Sequence, residues 1–148
     1  MESASAPARL RALPSWLLNQ SARPAQHLVS EGLRAVGAQR YHYSVLAALD
    51  EFGPASQAAL GRRSGIDRSD MVAVVNDLTA QGSVSRQPDA TDRRRNVVTI
   101  TPAGHRHLQA LDDIVNGAQR DLLAPLSTDE RAELVRLLGK IVDHHAGG

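Results

Sequence analysis

Apolar residues recur every three or four positions along most of the chain and change to an alternating or β-branched pattern in one region. From about Ser15 to Ala38, Trp16, Leu17, Leu28, Val29, Leu33 and Val36 follow helical spacing, with Pro24 set to kink or divide the run. A second helix is predicted over Tyr41 to Glu51, with Val45, Leu46 and Leu49 on one face, and Phe52-Gly53-Pro54 stops it. Ser56 is placed to cap a short helix, Gln57 to Arg63, which turns Leu60 inward. Gly65 permits a sharp turn. Asp67 then caps a helix from Arg68 to Gln81, Asp70 complements its positive end, and Gly82 closes it.

Two strand candidates follow, Ser83 to Gln87 and Asn96 to Thr101, the second β-branched almost throughout. Between them lies a turn-rich, charged loop. Thr101-Pro102 supplies an N-cap and a proline at the first helical position of a long helix carrying Leu108, Leu111, Ile114, Val115 and Leu122. Ala124-Pro125-Leu126 breaks that helix. Ser127 and Glu130 form a capping box for a last one, with Leu134, Leu137, Leu138, Ile141 and Val142. The first dozen residues read as a loose tail, and no internal repeat is evident.

The predicted fold is mainly α with a small β-hairpin wing. Helix, tight turn, helix, strand, arginine-rich tip and strand in succession form a winged helix-turn-helix, a device for gripping duplex DNA at two grooves. The predicted organisation is an N-terminal tail and helix over 1–40, the winged domain over 41–104, and C-terminal helices over 105–148.

Composition narrows the alternatives. The chain has 148 residues, 42% hydrophobic and 22% charged, enough for one cored domain with helical extensions. It contains no cysteine, which excludes disulfides and thiolate metal sites. No apolar run reaches membrane-spanning length and no N-terminal charged-then-apolar signal is present, so a cytoplasmic protein that does not engage membranes is the simplest expectation. Net charge is only +1, but eight arginines and five aspartates fall between Ala58 and Arg106. The sixteen arginines against the single Lys140 reflect coding bias more readily than chemistry, so an arginine counts only where its context needs it.

The helix from Arg68 to Gln81 has two faces. At 100° per residue, Met71, Val74, Val75 and Leu78 fall on one side, and Ser69, Val72, Ala73 and Asn76 on the other. The second face is small and uncharged, which suits a groove about 12 Å wide. Val72 is placed to meet a thymine methyl, Asn76 to pair with adenine, and Arg68 to meet guanine or phosphate. The alternative is an amphipathic helix with a weakly polar outside. At the hairpin tip, Arg93, Arg94 and Arg95 cannot all point one way. One guanidinium suits the negative potential of a minor groove and its neighbours suit phosphates, with Asp92 pairing with an arginine to fix the loop. The alternative there is a solvated charged turn.

These segments resemble the MarR family of bacterial transcriptional regulators. The resemblance rests on Gln57 to Ile66, Asp67 to Arg86, the run Asp89-Ala-Thr-Asp-Arg-Arg-Arg95, and Val98-Thr-Ile-Thr-Pro-Ala-Gly104. It covers about Tyr41 to Gly104 by motif and the flanking helices by pattern only. It implies a homodimer, paired through its N- and C-terminal helices, that represses genes and releases DNA on binding a small aromatic or anionic effector. By position it makes Arg68 to Gln81 the recognition helix and Arg94 the wing arginine, with Asp92 as its partner. The chain departs from the family pattern at Ala73, where many members carry a basic or polar residue, and Asp70 and Asp77 add negative charge. Binding is then expected to lean on Arg62, Arg63, Arg86 and the wing, and to be salt-sensitive.

The terminal helices carry more leucine and isoleucine than one small winged domain covers, which argues for a second subunit and a pseudo-palindromic operator. A monomer with its terminal helices folded back is the alternative. For an effector, the resemblance points to a cleft walled by Trp16, Asn19, Arg40, His42 and Tyr43; alternatively these residues pack a junction. His105 and His107, and His144 and His145, lack the i, i+4 spacing of paired metal ligands, so no metal or other cofactor is expected. No nucleophile elbow, P-loop or dinucleotide fingerprint is present, so no enzyme is expected. The remaining alternatives are a winged-helix protein–protein adaptor without DNA binding and a metal-responsive regulator.

Overall fold

The computed structural model describes residues 5–147. Its elements, in chain order, are α1 (Ala8–Arg11), α2 (Pro14–Arg34), α3 (Arg40–Phe52), β1 (Ala55–Ser56), α4 (Gln57–Ser64), α5 (Arg68–Ala80), β2 (Val84–Pro88), β3 (Asn96–Ile100), α6 (Pro102–Leu122) and α7 (Thr128–Ala146). The strands form one antiparallel sheet in the order β1-β3-β2. Val84 lies opposite Ile100 and Pro88 opposite Asn96, and Ala55 and Ser56 pair with Val98 and Val97. Among the described residues no helix is long and apolar enough to cross a membrane.

Each helix start in the winged region has a local cause. Ser56 accepts a hydrogen bond from the Ala59 amide, and Asp67 accepts one from the Asp70 amide. Thr101 Oγ1 accepts from the Gly104 amide at 3.0 Å and donates to the Gly82 carbonyl, so one hydroxyl caps α6 and ties it to the end of α5. Gly65 ends α4 at φ +66°, the left-handed conformation that the turn between α4 and α5 requires. At the start of α7, Ser127 and Glu130 form the expected reciprocal capping box.

Two compact units result. One is Val29–Asn116. Its core joins Leu33, Val45, Leu46, Leu49, Leu60, Met71, Val75, Leu78, Val98 and Leu111, each almost wholly buried. The other comprises Met1–Leu28 and Gly117–Gly148. It exposes Leu10, Leu13, Leu17 and Leu18 from its N-terminal segment, and Val135, Leu137, Ile141 and Val142 from α7. No residue of α7 is buried.

Leu33 and Leu111 sink into the same core as the winged elements, so the compact unit that holds them extends from Val29 to Asn116. The structure departs from expectation in three places. Pro24 does not divide α2, which runs unbroken from Pro14 to Arg34. Proline removes one amide donor, and on an exposed stretch of helix water can satisfy the carbonyl left behind. Residues 8–11 of the expected tail form the helical turn α1, while the first four lie outside the described residues. A third strand, β1, also appears where only a cap was expected.

Candidate nucleic-acid interface

α5 presents the two faces its periodicity predicts. Met71, Val74, Val75 and Leu78 are buried. Arg68, Ser69, Asp70, Val72, Ala73 and Asn76 are exposed, and Val72 keeps 40% of its surface open to solvent. Asp67 closes the N-terminal end of this helix on itself. Its carboxylate accepts from the Asp70 amide at 3.0 Å and from the Ser69 hydroxyl at 2.9 Å. Those bonds, the backbone one foremost, hold its pKa below the ordinary carboxylate value.

The wing projects beyond the sheet as a self-organised loop. Asp89 accepts from the amide and hydroxyl of Thr91, and its own amide donates to the Arg95 carbonyl. Asp92 accepts from the Arg94 amide at 3.1 Å and from Arg94 Nε at 3.1 Å, with Arg95 Nε 3.9 Å away. The Arg94 side chain lowers the Asp92 pKa most, and the Thr91 amide does the same for Asp89. Although tethered at its root, the Arg94 side chain is 91% exposed. Arg93 and Arg95 are also exposed, which fits a tip that offers guanidinium groups outward.

The other arginines differ in placement. Arg62 and Arg68 flank a shallow depression floored by Ile66 and Met71. Arg63 stacks over the exposed Phe52 ring, 4.1 Å from its centroid. Arg86 is half-buried on β2 and donates through a terminal nitrogen to Asn76 Oδ1 on α5. Its Nε is buried without a hydrogen-bond partner. Sequence reasoning assigned Arg86 and Asn76 separate contacts and missed that they touch.

The five effector candidates fall in both units. Trp16 and Asn19 belong to the unit of Met1–Leu28 and Gly117–Gly148, where Trp16 is half-buried and Asn19 exposed. In the Val29–Asn116 unit, Arg40 is exposed with its guanidinium 5.4 Å from the Tyr41 ring centre. His42 is buried. Its Nδ1 accepts from the Gln39 amide at 3.0 Å, which leaves the proton on Nε2, 3.1 Å from Asp77 Oδ2. Tyr43 donates to Asp112 at 2.6 Å, and that bond, with burial, pushes its pKa up to about 12. His107 lies beside Ser83, and burial, then the nearby His42, lowers its pKa. Among the described residues no three histidine or carboxylate side chains are grouped to hold a metal ion.

Comparison with known proteins places this geometry. The MarR family model matches residues 37–95, from the loop before α3 through the wing tip. The crystal structure of a probable transcriptional regulator from Pseudomonas aeruginosa shares 30% identity, covering 89% of this chain and 98% of that one, with a TM-score of 0.76. The chain belongs to the MarR family. The MarR-family fold accounts for its high helix content and its three-stranded wing sheet. The transcriptional repressor NicR of Pseudomonas putida is 31% identical over 101 residues, 68% of this chain and 64% of that protein. The PcaV transcriptional regulator of Streptomyces coelicolor, solved in complex with its natural ligand, is 28% identical over 93% of this chain and 97% of that one, with a TM-score of 0.70. The curated relatives are matched over 60–64% of their own length. They carry the names of transcriptional regulators, not of enzymes.

Proposed function

We propose that the protein is a homodimeric, sequence-specific regulator of transcription that binds duplex DNA at a pseudo-palindromic operator. The observation that carries this reading is the pairing of an exposed, uncharged face on α5 with an outward, tethered Arg94 at the wing tip. The first has the chemistry for base edges in a major groove, and the second suits the negative potential of a minor groove. Arg62, Arg63, Arg68, Arg93 and Arg95 are exposed, as phosphate contacts require. The name of NicR supports repression as the direction of control.

The dimer reading rests on the exposed aliphatic residues of α1, α2 and α7, a surface a second copy would cover. Two-fold symmetry then sets two recognition helices about one DNA turn, roughly 34–36 Å, apart. The likeness to PcaV, whose structure holds its natural ligand, supports a small-molecule effector, and release of DNA by a small aromatic or anionic molecule is the response proposed here. Within the Val29–Asn116 unit, the exposed Arg40 guanidinium and the half-buried Tyr43 ring offer such a molecule a cation and a ring surface, whereas His42 is buried with both ring nitrogens engaged.

Gel-shift and footprinting with the DNA upstream of the protein's own coding sequence test the reading. The expected result is a protected site with two related half-sites, and a complex that weakens steeply with salt. Binding no tighter than to unrelated duplex, or no binding at all, overturns it.

A further inference from the structure

Given duplex binding as proposed above, we infer that Arg86 is a positioning residue that turns Asn76 into a hydrogen-bond donor toward the bases. Asn76 then selects an acceptor-bearing edge, guanine or thymine, rather than adenine. Arg86 sits opposite Val98 in the sheet register, so the point where its side chain leaves β2 is fixed. Its Nε is buried without a partner, and its terminal nitrogen reaches Asn76 Oδ1. This guanidinium is not a mobile surface arm awaiting a phosphate. It is folded down against the recognition helix and engaged there.

The consequence falls on the carboxamide. The usual asparagine–adenine pair needs Oδ1 to accept from the adenine N6 amino group while Nδ2 donates to N7. Here a charged donor already occupies one of the two lone pairs of Oδ1, so adenine N6 is left the other, on an oxygen whose acceptor strength is already drawn toward the guanidinium. The nitrogen end of Asn76 remains for the groove. Guanine offers N7 and O6 as acceptors and thymine offers O4, and none of these meets a competing donor. The positive charge of Arg86 behind Asn76 also favours an acceptor-rich edge over an amino group. The neighbouring Val72, exposed on the same face, is suited to the thymine methyl.

Selection of bound duplexes from a randomised library by the full chain, followed by affinity measurement on the enriched sites, tests this assignment. The parent should show, at one position of each half-site, a roughly tenfold preference for guanine or thymine. Asn76→Ala should erase that preference alone. Arg86→Ala should erase it or move it toward adenine while other positions keep theirs, and Arg86→Lys, which retains a charged donor, should preserve it. Arg86→Ala binding that falls equally on every sequence, with all preferences intact, overturns the positioning role. So does adenine or cytosine at the position that Asn76→Ala erases, a result that decides the matter even if Arg86→Ala fails to fold. A parent chain that enriches no sequence refutes the regulator reading itself, and this inference with it.

Discussion

The carbonyl oxygen of Ser83 stands 2.0 Å from where a Cβ on residue 104 would lie, and Ile100 Cγ1 only 2.7 Å from it. The first turn of α6 therefore passes the base of the wing at a separation only glycine permits, and this is the physical content of the Thr-x-x-Gly pattern after β3. Gly104→Ala forces backbone apart in a packed region, so it should destabilise the fold by about 1–3 kcal/mol or more. Urea unfolding measures it. An unchanged midpoint would show that the contact relaxes freely.

Arg94 acts at the surface, and its loss should leave stability unchanged. Arg94→Ala should weaken specific and non-specific duplexes alike, about tenfold, and lower the slope of log affinity against log salt by about one. Anisotropy titrations across a salt series report both quantities. Full affinity in the variant would remove the wing from the interface.

The carboxylates of Asp67, Asp89 and Asp92 have folded-state pKa values below the ordinary 3.8. Groups with depressed values favour folding above the unfolded pKa and lose that contribution as pH falls through the folded one. The wing loop should therefore stay ordered down to about pH 4 and loosen below it. The check is amide exchange at Thr91 and Arg94, which should accelerate on acidification once corrected for intrinsic rates. Asp92→Asn should bring the Arg94 loosening to neutral pH.

Tyr43 behaves in the opposite sense at the other end of the scale. Its pKa is raised from 10.0 to about 12, so its bond to Asp112 contributes fully below pH 10 and is lost as pH climbs through about 12. Ultraviolet titration of the folded chain should show a phenolate transition near pH 12 that Tyr43→Phe abolishes. A Tyr43 transition near 10, its unshifted value, would place its hydroxyl in ordinary solvent.

On α7, Ile141 and Val142 are exposed at 46% and 64%. If a second copy covers them, Ile141→Asp should dissociate the dimer at micromolar concentration and weaken operator binding, while the winged unit keeps its fold. Sedimentation velocity gives the assembly state. A parent chain that sediments as a monomer would refute the dimer directly.

Much of the winged unit was legible in the sequence because its signals are local. Ser56, Asp67 and Ser127 act within three residues of themselves, and the two faces of α5 follow from helical period alone. Sequence reading failed where a relation spans distance. Arg86 meets Asn76 only because a turn and a strand register bring them together, and His42 finds Asp77 across 35 positions. β1 is two residues long, too short to make a pattern, and its strand character comes entirely from pairing with β3. Pro24 misled because its propensity is stated for an isolated helix, whereas here a long helix carries it at an exposed site.

The ring of hydrogen bonds that Asp67 draws around the head of α5 has a directional outcome. A helix whose Asp70 amide is already claimed by an acid of its own chain, with the Asp70 carboxylate alongside, is a poor anion site at that amide. If α5 enters a groove as proposed, a sugar–phosphate strand is steered instead to the guanidinium of Arg68 at the same helix end, and that bias is in place before any base is touched.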